Sequence, residues 1–123
     1  MKEQLISLPT AILAKEKGYN WESIWMYTPD GEMQNLIGIS SYQLENKHKW
    51  LYAPSQSLLQ RWLREKHGIH IGIRRMVWNG QIEYNDFVYP SGSEKHTDTT
   101  LGNEFDTFED ALENALQEAL KLI

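Results

Sequence analysis

The 123-residue chain contains no cysteine. This absence excludes disulfides, thiolate zinc sites, iron–sulfur clusters and a cysteine nucleophile, which are common ways to cross-link a small domain or to make it reactive. A reducing compartment suits such a chain, and we predict a cytoplasmic protein. A chain of this length can bury roughly two-thirds of its unfolded surface, so its core needs no cross-link. We therefore expect residues 1–123 to form a single domain.

Long apolar runs are also absent. No stretch approaches the roughly 20 apolar residues that a bilayer span needs. The first ten residues, MKEQLISLPT, place a lysine and a glutamate before a very short apolar stretch, which differs from a secretory signal peptide. We expect neither a signal peptide nor a membrane anchor, and no membrane partner.

Catalytic and metal-binding motifs are scarce. The sequence has no G-x-S-x-G, no H-E-x-x-H, no glycine-rich phosphate loop and no deaminase signature. His67 and His70 are three residues apart, but Gly68 is expected to end a helix between them, and no carboxylate at recognisable spacing completes a ligand set. His48 and His96 lie in polar segments, where solvent is their expected partner. We predict a non-enzymatic protein without a metal or a cofactor.

Charge is abundant but unevenly placed. The net charge of −5 argues for solubility and against indiscriminate attraction to nucleic acid or anionic lipid. Between positions 47 and 75, however, seven Lys or Arg meet one acid, Glu65, which leaves a net charge of +6 there. Ten Asp or Glu follow Met76 against two lysines. The basic middle and the acidic tail either neutralise each other in the fold or leave a basic face for a partner.

The C-terminal segment carries the clearest helical pattern. Thr107 stands three residues before Asp110, which approximates a capping box, and apolar residues then recur at i, i+3 and i+4. The predicted core-facing residues are Phe108, Ala111, Leu112, Ala115, Leu116, Ala119 and Leu120. The other face is polar, with acids early and Lys121 late, as suits the helix dipole.

Two further helices are predicted. One spans 55–67, where Pro54 can supply a rigid first position and the glycine after the helix can take the left-handed conformation. Its apolar stripe consists of Leu58, Leu59, Trp62 and Leu63. The other spans 7–17, with Ser7 as its N-cap and a glycine as its terminator. Its expected core contacts are Ala11, Ile12 and Ala14.

Between the last two helices the pattern changes to alternation. Asn79-Gly80 is the strongest short hairpin signal, so the preceding run from Ile69 is predicted to pair with 81–89 across a two-residue turn. The resulting register pairs Val77 with Ile82, Arg75 with Tyr84, Ile71 with Val88, and Gly72 with Phe87, whose ring could cover the glycine. It also pairs Ile73 with Asp86. A buried aspartate is costly, so we expect a bulge near 85–86 or an early end to pairing.

An earlier pair of strands is less distinct. We predict one strand over 23–28, a turn at Pro29-Asp30-Gly31, a return strand within 33–39 and a short extended piece at 50–52. The polar segment 90–103 is typical of a mobile loop. The order α-β-β-α-β-β-α favours an α+β fold, with an antiparallel sheet and helices packed mainly on one of its faces.

Aromatic residues are the most suggestive feature, since five Trp and six Tyr exceed what one small core needs. Rings interleaved with Arg and Lys could stack bases while the cations meet phosphates, or they could anchor a protein interface. They could equally pack in the core. Trp78, beside the hairpin turn, is the ring that we expect to be exposed.

A partner-binding face is therefore predicted on the basic helix and the hairpin. Its members are Arg61, Arg64, His67, Arg74, Arg75 and Trp78. A protein partner is the first hypothesis and nucleic acid is the alternative. The Ala/Leu-rich C-terminal helix could also pack against a second copy of the chain in a homo-oligomer.

Residues 53–65 (APSQSLLQRWLRE), followed by His67 and Ile69-His70-Ile71, resemble the central signature of small uncharacterised proteins from phages and mobile elements of gut Bacteroidetes. Segments like 13–19 (LAKEKGY) and 105–112 (FDTFEDAL) open and close members of that family. The resemblance covers most of the chain and implies a bacterial or phage cytoplasmic setting. The family has no established activity, so the resemblance assigns no catalytic residue.

Overall fold

The computed structural model describes residues 4–21, 23–35, 50–90, 92, 97–98 and 105–123. The helices are α1 (Leu8–Glu16), α2 (Gln56–His67) and α3 (Phe108–Lys121). The strands are β1 (Trp25–Tyr27), β2 (Met33–Asn35), β3 (Leu51–Tyr52), β4 (His70–Trp78), β5 (Gln81–Tyr89) and β6 (Thr97–Asp98). They form two antiparallel sheets, with strand orders β2-β1-β3 and β4-β5-β6. The α+β class and the predicted element order are confirmed.

The chain divides into two compact units, Met1–Ser55 and Gln56–Ile123. The first holds α1 and the sheet β2-β1-β3, and the second holds α2, α3 and the sheet β4-β5-β6. The single domain expected over 1–123 stays a prediction. No helix within the described ranges is long and apolar enough to cross a membrane.

Helix α1 begins after Ser7 and ends before Gly18, which has a φ of +91°, as predicted. Ala11 and Ala14 are buried, but Ile12 is 44% exposed and is not the core contact expected of it. Thr10, fully buried, takes that place. Successive residues lie about 100° apart around a helix, so a buried face centred on positions 10, 11 and 14 turns Ile12 outward.

The sheet of the first unit is built around β1, which pairs with β2 on one side and β3 on the other. The predicted turn is present: the N–H of Gly31 donates to the carbonyl of Thr28 over 2.8 Å, and Gly31 has a φ of +86°. The extended piece predicted at 50–52 is β3. Residues 36–39 of the predicted return strand lie outside the described residues, as do His48 and His96.

Helix α2 starts at Gln56, so Pro54 precedes the helix and does not occupy its first turn. The carbonyl of Pro54 accepts a 3.0 Å hydrogen bond from the N–H of Ile6, and Leu5 forms an antiparallel β-bridge with Ser55. These two contacts hold residues 54–55 in an extended conformation. Of the predicted apolar stripe, Leu59, Trp62 and Leu63 are buried, whereas Leu58 is only partly buried. Gly68 ends the helix with a φ of +66°.

Helix α3 is capped as predicted, because the Oγ1 of Thr107 accepts a 3.1 Å hydrogen bond from the N–H of Asp110. The buried residues are Ala111, Leu112, Ala115, Leu116, Ala119 and Leu120. Phe108 is the exception at 46% exposure. The helix packs on β4, β5 and α2.

The β4–β5 hairpin has the predicted register, unbroken from His70↔Tyr89 to Trp78↔Gln81. Asn79 and Gly80 both have positive φ, at 49° and 76°, as a two-residue turn of the favoured hand requires. The ring of Phe87 covers Gly72 so closely that a methyl group there would overlap it.

Two expectations for this sheet were wrong. Pairing does not stop or bulge at Asp86, which is buried opposite Ile73 and accepts a 2.8 Å hydrogen bond from the Nδ2 of Asn114. A buried carboxylate is tolerated when such a donor meets it. In addition, Thr97–Asp98, part of the predicted loop, forms β6 beside β5. Pairing at a strand edge uses main-chain groups, so a polar sequence can take part without an alternating pattern.

Candidate functional site

The two faces of the β4–β5 hairpin differ in what covers them. Side chains alternate along each strand, so the cross-strand pairs divide into two sets. One set, the helix-side face, comprises Ile71, Ile73, Arg75 and Val77 with Val88, Asp86, Tyr84 and Ile82. Asp86 meets Asn114 of α3 there. The other set, the far face, comprises His70, Gly72, Arg74, Met76 and Trp78 with Tyr89, Phe87, Asn85, Glu83 and Gln81.

Side chains on the helix-side face become more exposed to solvent toward the turn. Val88 and Asp86 are buried, whereas Ile82 is 45% and Val77 62% exposed. The reason is the path of α3. Phe105 pairs with Tyr84 through two backbone hydrogen bonds of 2.8 and 2.9 Å, and the helix that follows runs from there toward Asp86. It therefore leads away from the turn and leaves the residues nearest the turn uncovered.

The uncovered residues form one apolar surface. Val77 and Ile82 are direct cross-strand partners, and Tyr84 follows Ile82 on the same face. The ring of Phe108 meets Tyr84 edge-on, with centroids 6.3 Å apart and planes at 89°. Arg75, exposed and opposite Tyr84, adds a cation at the margin. We call Arg75, Val77, Ile82, Tyr84 and Phe108 the tip surface.

The far face carries rings and a cation of its own. Trp78 is 66% exposed, which confirms the expectation for it. The guanidinium of Arg74 lies 5.7 Å from the centre of the Phe87 ring, within the range of a cation–π contact. Phe87 in turn meets Tyr89 edge-on at 5.8 Å.

The predicted partner-binding residues fall into three places. Arg61, Arg64 and His67 are on α2. Arg75 belongs to the tip surface, while Arg74 and Trp78 lie on the far face. Neighbours in a strand point to opposite sides of a sheet, so the two arginines of β4 do not share one face of the hairpin.

Two of the three α2 residues, Arg61 and His67, contact neighbours within their own helix. The Nε of Arg61 donates to Glu65 over 2.9 Å, and both side chains are largely exposed, so the pair contributes less than about 1 kcal/mol. The ring of His67 packs edge-on against Trp62, with centroids 4.7 Å apart. Nothing in these contacts directs the helix cations toward the hairpin.

Sequence reasoning missed four members of the tip surface, namely Val77, Ile82, Tyr84 and Phe108. The turn at Asn79-Gly80 already placed Val77 and Ile82 opposite each other. Alternation also placed them on the face that Ile71 and Ile73 share, but only the course of α3 shows that the helix does not cover that face as far as the turn.

Within the described ranges, no group of three or more His, Asp or Glu side chains is placed to hold a metal ion. Comparison of the chain with protein-family models, curated proteins and solved structures gives no match. We therefore infer function from the geometry of the described residues.

Proposed function

We propose that this protein is a non-enzymatic cytoplasmic accessory protein of a phage or mobile element, and that it binds a protein partner through the tip surface. The observation that carries the proposal is the exposure of three apolar side chains: Val77 and Ile82, which are cross-strand partners, and Phe108, whose ring contacts Tyr84. Small proteins seldom leave large apolar side chains grouped in water unless the group meets a partner. The phage setting comes from the sequence resemblance alone.

The tip surface suits a groove more than a flat partner. A hairpin is a narrow ribbon, and nine cross-strand pairs hold this one in a single register. Little conformational freedom is then lost on binding, which favours affinity. Arg75 at the margin favours a groove that is apolar inside and acidic at its rim.

Photo-crosslinking in the producing cells would test the proposal. A benzophenone amino acid at position 77 should crosslink a discrete partner protein, and Ile82→Asp should abolish that product, because a carboxylate would enter an apolar contact. Ile82 is half exposed, so the substitution should leave the fold intact.

Position 12 supplies the matched control, since Ile12 is equally exposed but lies in the first unit. Ile12→Asp should leave the crosslink unchanged. Crosslinks of equal yield from positions 77 and 12, or a product that survives Ile82→Asp, would contradict the proposal.

Nucleic acid is the second candidate, and the far face favours it. Trp78 and Phe87 could stack bases while Arg74 meets a phosphate, as on other aromatic sheet faces that bind single strands. Anisotropy with labelled oligonucleotides should then show binding that weakens steeply with salt. The affinity for the oligonucleotide should also fall with Arg74→Ala and with Trp78→Ala, but not with Arg61→Ala. No binding at low salt would remove this candidate.

A further inference from the structure

The first unit contains a cavity of about 280 Å³ that opens to the surface. Among the described residues it is lined by Ala11, Ala14, Lys15, Tyr19, Met26, Trp50 and Tyr52. Ala11, Ala14 and Met26 are almost fully buried and form its deep part. The space exists because α1 presents two alanines there, where larger side chains would fill it.

The walls are aromatic. Tyr19 is buried, and its ring meets Tyr52 edge-on, with centroids 6.4 Å apart and planes at 71°. Trp50 completes the aromatic lining. Rings arranged in this way offer flat faces and edges to another ring, and such contacts favour planar aromatic ligands over branched aliphatic ones. At this volume the cavity lies just below the usual range of small-molecule sites, about 300–1,000 Å³, and so suits a ligand of one or two fused rings.

The described lining residues carry positive charge and no negative charge. Lys15 is exposed and carries the one formal charge among the described lining residues. Its Nζ lies 3.5 Å from the main-chain carbonyl oxygen of Trp50, so the ammonium lies next to the main chain of a residue that lines the cavity. Burial, with a smaller contribution from Tyr52, raises the pKa of the Tyr19 hydroxyl well above its usual range, so that wall stays neutral. The cavity is therefore apolar inside with a cation at its opening.

We propose that this cavity binds a small planar organic anion: one or two fused aromatic rings that bear a carboxylate. The ring enters between Tyr19, Tyr52 and Trp50, and the carboxylate remains at the opening, where it pairs with the ammonium of Lys15. The inference is independent of the tip surface, which lies in the other unit.

Calorimetric titration of the full chain with three probes of one ring system would test it: indole-3-carboxylate, neutral indole and cationic tryptamine. Indole-3-carboxylate should bind with a dissociation constant of about 0.1–1 mM, as its few heavy atoms allow. Tryptamine should bind at least about tenfold more weakly, because its ammonium would face that of Lys15.

Variants at position 15 separate charge from shape without touching the core. Lys15→Gln should weaken indole-3-carboxylate about three- to fivefold, which is typical of a partly exposed ion pair, and should leave indole unchanged. Lys15→Glu should reverse the preference toward tryptamine. Lys121→Gln, which removes an exposed lysine from α3, is the matched control and should alter none of the three affinities.

Filling the cavity gives a second line of evidence. Ala14→Leu should abolish binding of all three probes, and its thermal unfolding should be measured alongside to show that the variant is folded. Three results would overturn the proposal: no saturable binding of indole-3-carboxylate at about 5 mM, well above the expected constant; equal affinities for the carboxylate and ammonium probes; or a preference that survives Lys15→Glu.

Discussion

The side-chain amide of Asn114 donates a 2.8 Å hydrogen bond to the carboxylate of Asp86, which is only 2% exposed. This bond joins α3 to the middle of β5. It also contributes to the unbroken β4–β5 pairing, because it supplies a donor to an aspartate that is buried opposite Ile73. An amide on a neighbouring helix thus helps to stabilise an acidic residue in the interior of the sheet.

Asn114→Ala should lower the free energy of unfolding by about 1.5–3 kcal/mol, because it deprives a buried carboxylate of a donor. Urea unfolding followed by tryptophan fluorescence would measure the loss. Glu118→Ala is the matched control on the same helix: it removes the surface pair with Lys121 and should change the stability by less than about 0.5 kcal/mol. Equal losses in the two variants would contradict this role for Asn114.

Gln56, at the start of α2, should contribute to stability through its side-chain amide. Its Nε2 donates to the carbonyl of Glu109 over 2.9 Å and to the Oε1 of Glu113 over 3.0 Å, and the residue is buried. Gln56→Ala should cost about 1–3 kcal/mol in urea unfolding. Gln56→Glu should cost more, since it places an acceptor without a donor beside Glu113. If Gln56→Glu proved more stable than Gln56→Ala, the hydrogen bonds donated by the Gln56 amide would not be the source of its contribution to stability.

Gly72→Ala should destabilise the hairpin, because the added methyl group overlaps the ring of Phe87. Forcing an extra carbon into a packed site costs about 1–3 kcal/mol. In a Phe87→Leu background the same substitution should cost clearly less, since the smaller side chain can move away. A double-mutant cycle measured by chemical denaturation would show this as a coupling energy between positions 72 and 87. Additive costs would mean that the Phe87 ring is not the reason that position 72 requires glycine.

Tyr19 should make the stability fall at alkaline pH. In the folded chain, burial raises the pKa of its hydroxyl above the ordinary value of 10.0, so the unfolded chain loses this proton more readily. The contribution is therefore fully present below pH 10 and declines above it, by at most about 1.4 kcal/mol per pH unit. Urea unfolding at pH 9 and pH 11 should show a smaller decline for Tyr19→Phe than for the unmodified chain. An equal decline in both would exclude Tyr19 as the source.

Local signals predicted most of the fold. The cap at Thr107, the glycine after α2 and the turn at Asn79-Gly80 act within a few residues, so the sequence alone could place the helices and set the β4–β5 register. Contacts between distant residues were missed. The donor for Asp86 lies 28 positions away on α3, and no spacing rule connects the two.

The candidate site was predicted only in part for the same reason. Trp78 lies next to a turn, so its exposure follows from local structure. Alternation also predicts that Val77 and Ile82 share a face, but it cannot tell how far a covering helix extends along that face. The outward position of Phe108 likewise depends on where α3 meets Tyr84, and not on the helical period itself.

A side chain added at Gly80, in the turn of the β4–β5 hairpin, would meet nothing within 4 Å, but the φ of +76° there would strain any residue other than glycine. The register that this turn sets matters to the interior as well. A slip of one residue between β4 and β5 would exchange the two sides of β5, bringing Asn85 toward α3 and carrying Asp86 away from Asn114. Substitutions at the exposed strand positions beside the turn, such as Val77, Trp78 and Ile82, can therefore diversify the chemistry that the hairpin presents, whereas changes that shift the register would disrupt the interior.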